Sequence, residues 1–247
     1  MFDDKLKKIK NESFYFKTLP NQLLRFLKFY FRLQVENAHL VPKKGPVMIV
    51  PNHSGFAGLD ALVLNHVLVA DVKRIPRVLT HKLWFSTEFT EMAAQKMGFY
   101  PATYENGLQF LRRKNAVVLF PEGEDGNFKS SRKMYTLQEF KRGFIRMAIE
   151  TQSPIVPVLI IGAEESNFNL KKLKLDRFFK GLKIPLPLNL IPLPAKWKIV
   201  FLDPIYLPYD SATLEDTEFI REIAADIQEL MQERMNIEIR KRDSIYF

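Results

Sequence analysis

Short apolar runs recur along this chain, and segments with helical periodicity separate them. The runs at 47–50, 116–120 and 154–161 are the clearest, with weaker ones at 77–80, 99–100 and 198–201. Turn residues bound them: 47–50 lies between Lys43-Lys44-Gly45-Pro46 and Pro51. Between the runs, helical patterns cover 59–70, 86–97, 105–114 and 136–151, and a long one covers 215–241. Unbroken apolar runs suit strands buried on both faces, and intervening helices supply the crossovers between parallel neighbours. The expected fold class is α/β, a mostly parallel sheet flanked by helices. In such sheets, ligands bind beyond the carboxyl ends of the strands.

Two strand ends carry the chemistry. Directly after 47–50 comes Asn52-His53-Ser54-Gly55-Phe56-Ala57-Gly58-Leu59-Asp60. An imidazole oriented by a carboxylate is a general base for a hydroxyl or amine. His53 and Asp60 are therefore the candidate catalytic pair, and Gly55 and Gly58 permit the tight turn that would bring them together. A histidine at a strand end is also a common core residue, and the pair alone decides little. Asn52 and Ser54 flank it as candidate substrate contacts. No Gly-x-Ser-x-Gly elbow accompanies Ser54, so direct transfer is favoured over a covalent serine intermediate.

After 116–119 comes Phe120-Pro121-Glu122-Gly123-Glu124-Asp125. Glu122 and Gly123 form a wall of the same presumed cleft. Three roles are open for Glu122: binding the acceptor hydroxyl, positioning His53, or capping the next element. Close carboxylates raise a pKa or recruit a cation. With no histidine nearby and no calcium-loop spacing, no metal site is expected. Lys129, Arg132 and Lys133 follow, then Lys141 and Arg142. The first three are assigned as candidate phosphate contacts, with solvated surface charge as the alternative.

The formal net charge of +9 suits nucleic acid, anionic lipid or an anionic cofactor, and charge alone does not choose among them. No nucleic-acid-binding module accompanies it, so no nucleic-acid partner is expected. Cysteine is absent, which excludes a thiol nucleophile, a cysteine zinc site and internal disulfides. No apolar run reaches the roughly 18–20 residues that span a bilayer, and MFDDKLKKIK lacks the apolar core of a signal peptide. The expected location is the cytoplasmic side of a membrane, held peripherally or monotopically.

Residues 1–40 are expected to form a basic, aromatic N-terminal segment, with the catalytic domain over 41–247. Within the first, 21–35 (NQLLRFLKFYFRLQV) reads as an amphipathic helix. Arg25, Phe26 and Phe29 are its candidate membrane contacts, since rings bury at an interface while cations meet lipid phosphates. A helix packed on the core is the alternative. Residues 170–197 alternate lysines with apolar residues, then run into Pro185, Pro187, Pro192 and Pro194. They read as an apolar, cationic flap, with Lys171 and Lys172 as further membrane contacts, or as an ordinary long loop.

Taken together, these motifs resemble the glycerolipid and lysophospholipid acyltransferases. That family has Asn-His, four residues, then Asp; later Phe-Pro-Glu-Gly followed by Thr/Ser and Arg; and an apolar Val-Pro strand, matched here by Ile155-Val156-Pro157-Val158. Its second motif is matched in part by Gly98-Phe99-Tyr100-Pro101. Two departures stand out. Six residues separate His53 from Asp60, a spacing similar to the monoacylglycerol acyltransferase branch. The family's two motif arginines fall near Tyr104 and at Asp125. The resemblance implies a membrane-surface acyltransferase that moves a fatty acyl group from a thioester donor, acyl-CoA or acyl-ACP, to the hydroxyl of a lysophospholipid or acylglycerol. No cofactor beyond the co-substrate is implied, and the partners are anionic membrane lipid, the acyl donor and the lipid acceptor. A thioester hydrolase on the same site and a non-catalytic anionic-lipid binder are the competing readings.

Overall fold

The structure is a computed structural model, described for residues 19–54, 58–127, 129–174, 183–187, 189 and 191–246. In chain order the elements are α1 (Leu19–Tyr30), β1 (Gln34–Glu36), β2 (Val47–Pro51), α2 (Leu59–Val67), β3 (Pro76–Thr80), α3 (Glu88–Lys96), β4 (Phe99–Pro101) and α4 (Tyr104–Arg112). There follow β5 (Ala116–Leu119), α5 (Gly123–Asn127), α6 (Gly143–Thr151), β6 (Ile155–Ile161), α7 (Ala163–Ser166), β7 (Asn169–Lys174), β8 (Lys183–Pro187), β9 (Lys198–Phe201) and α8 (Thr217–Arg240).

Seven strands form one sheet in the order β1-β9-β6-β2-β5-β3-β4. β6, β2, β5, β3 and β4 are mutually parallel. β9 pairs antiparallel with β6 and parallel with β1, so that edge runs the other way. This is the mostly parallel α/β sheet that the apolar runs indicate. Side chains alternate between two cores: Val47 and Ile49 of β2 face one, and Met48 and Val50 face the other. α1 and α2 cover the first face; α4, α6 and α8 cover the second. The period of α8 is legible in its buried residues, Ile220, Ile223, Ala224, Ile227, Met231 and Met235.

Three segments depart from the sequence expectation. The N-terminal helix ends at Tyr30, and 34–36 form a strand instead of its last turn. That strand pairs with β9, and Phe31 stacks on buried Trp197 with ring centroids 4.7 Å apart. The expected helix over 136–151 begins only at Gly143. Upstream, backbone N–H groups of an extended segment donate to distant side chains: Tyr135 to Glu164, Leu137 to Gln232, Gln138 to Glu122 and Phe140 to Gln228. Those partners replace the bonds a helix would have made. In 170–197, finally, β7 and β8 form an antiparallel hairpin, paired from Asn169↔Pro187 to Lys174↔Lys183.

α1 packs one face on the core and leaves the other exposed. Leu27 is buried against the core, while Phe26 and Phe29 remain 60% and 84% exposed beside exposed Arg25. Tyr30, whose ring stacks on Phe26, donates its hydroxyl to Pro192 O at 2.6 Å. This brings Ile191, which is 78% exposed, close to the same helix. The side chains of Lys171 and Lys172 lie outside the described residues. Among the described residues, no helix is long and apolar enough to cross a membrane.

Candidate active site

β2 and β5 are parallel neighbours, so the residues that leave their carboxyl ends meet. The chain passes from β2 through Asn52, His53 and Ser54, then turns at Gly58 into α2. Gly58 has φ 74°, a left-handed conformation that costs a residue with a β-carbon, and such a carbon would also stand 3.1 Å from the Trp84 ring. The turn brings Asp60, in the first helical turn, back to His53. The Nδ1–H of His53 donates to Asp60 Oδ2 at 2.6 Å. Ser54 N donates to the same oxygen at 2.8 Å, and Ala61 N donates to Oδ1 at 2.8 Å. Asp60 is fully buried, with every contact a donor. It therefore assigns the imidazole proton to Nδ1 and leaves Nε2 as the basic nitrogen. The six-residue spacing is no obstacle to the pair.

Glu122 holds the same histidine from the other side. It is fully buried, and its Oε1 accepts from His53 N at 2.8 Å. Its Oε2 accepts from Gln138 N at 2.7 Å. Of the three roles open to Glu122, the geometry realises positioning, since it grips the backbone of His53. The Phe120 ring lies 4.4 Å from the imidazole and packs along it. Gly126 makes this arrangement possible: a β-carbon there would sit 2.5 Å from Glu122 Cβ, so any side chain would evict the carboxylate. Above the turn, His81 Nε2 pairs with Glu124 Oε1 at 2.7 Å.

Three assigned substrate contacts, Asn52, Lys129 and Ser54, have internal partners. Asn52, fully buried, bonds β6 in both directions: its Oδ1 accepts from Ile160 N at 2.6 Å and its Nδ2 donates to Ile160 O at 3.1 Å. It extends the sheet ladder one residue past the strand. Lys129 is not at the surface. Its side chain is 4% exposed, and its Nζ lies 2.8 Å from Glu164 Oε1 and 3.8 Å from Glu122 Oε2. An ammonium enclosed in this way is unavailable to a substrate phosphate. Ser54 is buried against Asp60, and its Oγ accepts from Asn52. Arg132 and Lys133 are exposed on a short 3-10 turn after the acidic segment.

The cation that reaches the turn comes from farther along the chain. Lys141 N donates to Pro121 O at 2.9 Å, and its side chain lies along Gly123, with Nζ 2.8 Å from where a β-carbon would stand. In sequence, Lys141 stands among the cations past the acidic turn that read as phosphate contacts, with nothing to single it out. The signal was present only as a cation beyond an extended, glutamine-clamped segment, which reads as helix by periodicity. Gln228 and Gln232, which clamp that segment from α8, were likewise missed, because exposed-looking glutamines on a helix are ordinary.

Comparison with known proteins identifies the family and the fold. The family model named Acyltransferase matches residues 32–161, a span that includes His53, Asp60, Glu122 and Gly123. An uncharacterized protein of Mycobacterium tuberculosis is 34% identical over 240 residues, covering 91% of this chain and 67% of that protein. A probable 1-acyl-sn-glycerol-3-phosphate acyltransferase of Mycoplasma pneumoniae is 28% identical over 171 residues, covering 64% of this chain and 60% of that protein. The crystal structure of the 1-acyl-sn-glycerophosphate (LPA) acyltransferase, PlsC, from Thermotoga maritima has the same fold. Its TM-score is 0.61 at 16% identity, with 93% of this chain and 83% of that chain covered. The family match, over more than half of the chain, leads to one conclusion: this chain belongs to the Acyltransferase family and is an acyltransferase.

Proposed function

We propose that the enzyme transfers a fatty acyl group from an acyl-CoA or acyl-ACP thioester to the hydroxyl of a lysophospholipid or acylglycerol at a membrane surface. The observation that carries this reading is the His53–Asp60 pair, with Nδ1 bound at 2.6 Å and Nε2 left basic. In the reaction, the acceptor oxygen attacks the thioester carbonyl as His53 Nε2 takes the hydroxyl proton. The carbon–sulfur bond breaks, and the proton passes from His53 to the departing thiolate. Asp60 holds the imidazole in the correct tautomer and stabilises the imidazolium that forms. Glu122 fixes the backbone from which the ring projects.

The acceptor's polar end is expected to meet exposed cations near the Glu122-Gly123 turn. Lys141 is the leading contact because its side chain lies on Gly123, with Arg132 and Lys133 farther along the same connection. The exposed Phe26, Phe29 and Ile191, with Arg25 beside them, support docking on the cytoplasmic face of an anionic bilayer. The test is thiol release from acyl-CoA, and separately from acyl-ACP, with lysophosphatidate, another lysophospholipid and monoacylglycerol as acceptors. His53→Ala is expected to lower acceptor-dependent release by about 10²–10⁴-fold. A fully active variant would sink the mechanism, and release independent of acceptor would favour a hydrolase.

A further inference from the structure

Behind the His53 backbone lies a buried group of three charges. Glu122, on the turn after β5, is fully buried; Lys129 follows α5 with its side chain 4% exposed; Glu164, on α7 after β6, is 8% exposed. The Lys129 ammonium stands between the carboxylates, 2.8 Å from Glu164 and 3.8 Å from Glu122, and also donates to Thr136 O at 3.3 Å. Glu164 Oε2 accepts from Tyr135 N at 2.8 Å. Glu122 accepts two backbone N–H groups, from His53 and Gln138. The group thus holds one ammonium, two carboxylates and three backbone donors. Tyr135 adds its hydroxyl, which accepts from Gly162 N and Arg242; Arg242 in turn grips Glu165 with both nitrogens. Lys141 lies outside the group, on Gly123.

We propose that Lys129 is a positioning residue for acyl transfer: it neutralises Glu164, so that Glu122 keeps its grip on the His53 backbone. The role rests on the reading of His53 as the base. A carboxylate accepts N–H donors on both oxygens more strongly than the neutral acid does, so a pair of backbone donors favours the charge on the group that receives them. Glu122 is in that position. Two carboxylates in one dry site do not both ionise without a counter-charge. Lys129 supplies that charge and leaves the group at one net negative charge, carried where the two backbone donors need it. Without the ammonium, Glu164 is the carboxyl that takes up a proton. It has one backbone donor against two for Glu122, and burial already pushes it upward, opposed chiefly by Lys129.

The consequence has a sign. In Lys129→Met at lower pH, Glu164 is neutral and Glu122 stays ionised, so His53 remains in place. As pH rises and Glu164 loses its proton, a second negative charge appears beside Glu122, and the hold on His53 weakens. The variant therefore acquires a fall in activity toward alkaline pH that the parent lacks. Removing the second carboxyl as well, in Lys129→Met/Glu164→Gln, restores one net negative charge and should remove that fall. A purely structural lysine would show neither the new pH limb nor the rescue.

The experiment compares the full chain, Lys129→Met and the double variant by kcat/KM against pH, and by the amide resonance of His53 in ¹⁵N-labelled protein. Lys129→Met is expected to lose about tenfold to a hundredfold, the scale of a displaced catalytic group, with the loss growing as pH rises. Its His53 amide should shift, and the double variant should return both activity and resonance toward the parent. A pH profile parallel to the parent's, a double variant no better than the single one, or an unmoved resonance overturns the proposal. If Lys129→Met does not fold, the double variant decides: folded and active supports the role, folded and inactive overturns it. Should the parent release no thiol with any donor or acceptor, the acyl-transfer reading fails, while the resonance still reports whether Lys129 holds His53.

Discussion

Asp60 and Glu122 stand on opposite sides of His53, both fully buried, and each holds a different part of it. Asp60, in the first turn of α2, accepts the hydrogen bond from Nδ1–H; Glu122, in the turn after β5, accepts one from the backbone N–H. The Asp60 region is local: its partners are His53, Ser54 and Ala61, all from one loop and the start of one helix. The Glu122 region is assembled from afar, through Gln138, Lys129 and Glu164, and through α8, whose Gln228 and Gln232 clamp the intervening segment. On the proposed mechanism, one carboxylate tunes the chemistry of a side chain and the other fixes where that side chain stands. Changes at the two sites should therefore fail in different ways.

The largest effect is expected from Asp60→Asn. An amide can present its oxygen or its nitrogen to Nδ1, so the proton is no longer assigned and no imidazolium is stabilised. kcat is expected to fall by about 10²–10⁴-fold with the fold intact by circular dichroism. Activity within a few-fold of the parent would mean that Asp60 is only a helix-capping group. Glu122→Gln probes the other side. Its amide nitrogen must face one of two backbone donors, leaving a buried bond unmade at a cost of about 1–3 kcal/mol. Urea unfolding and kcat should fall together here, whereas Asp60→Asn is expected to move mainly kcat. If both variants gave the same split, the division between chemical and positional roles would collapse.

Lys141→Met is expected to act more weakly and more selectively. It should raise KM for lysophosphatidate about tenfold while leaving a monoacylglycerol acceptor nearly unchanged, because only the first carries a phosphate for the ammonium. An equal effect on both acceptors would place Lys141 with the positional residues of the Glu122 turn. The smallest effect on the site itself should come from Phe29→Ser, which touches neither carboxylate. Binding to anionic liposomes is expected to weaken about tenfold, with soluble turnover and the thermal midpoint unchanged, since the ring is 84% exposed. Unchanged liposome binding would remove α1 as the docking surface.

Legibility followed the range of the interactions. Strands β2, β5 and β6 were readable because burial on both faces demands unbroken apolar sequence. His53 and Asp60 were readable as a pair because the loop between them is short and glycine-bearing. Residues 136–140 read as helix in sequence, yet here and at Tyr135 backbone donors are taken by side chains from the turn after β5, from α7 and from α8. Lys129 reads in sequence as a candidate phosphate contact because burial is not a property of a lysine or of its neighbours in sequence. It is imposed when two separate strand ends close around the side chain.

By itself, then, the sequence determined the α/β class, the strand ends that carry chemistry and the membership of His53, Asp60 and Glu122 in one site. Apolar periodicity and local turns are sufficient for those. The tertiary structure decided which carboxylate holds the ring and which the backbone, which lysine is enclosed and which lies along Gly123, and how α8 clamps the segment behind the site. Those outcomes depend on distances between residues that only packing brings together, and on a desolvation cost that no single segment carries alone.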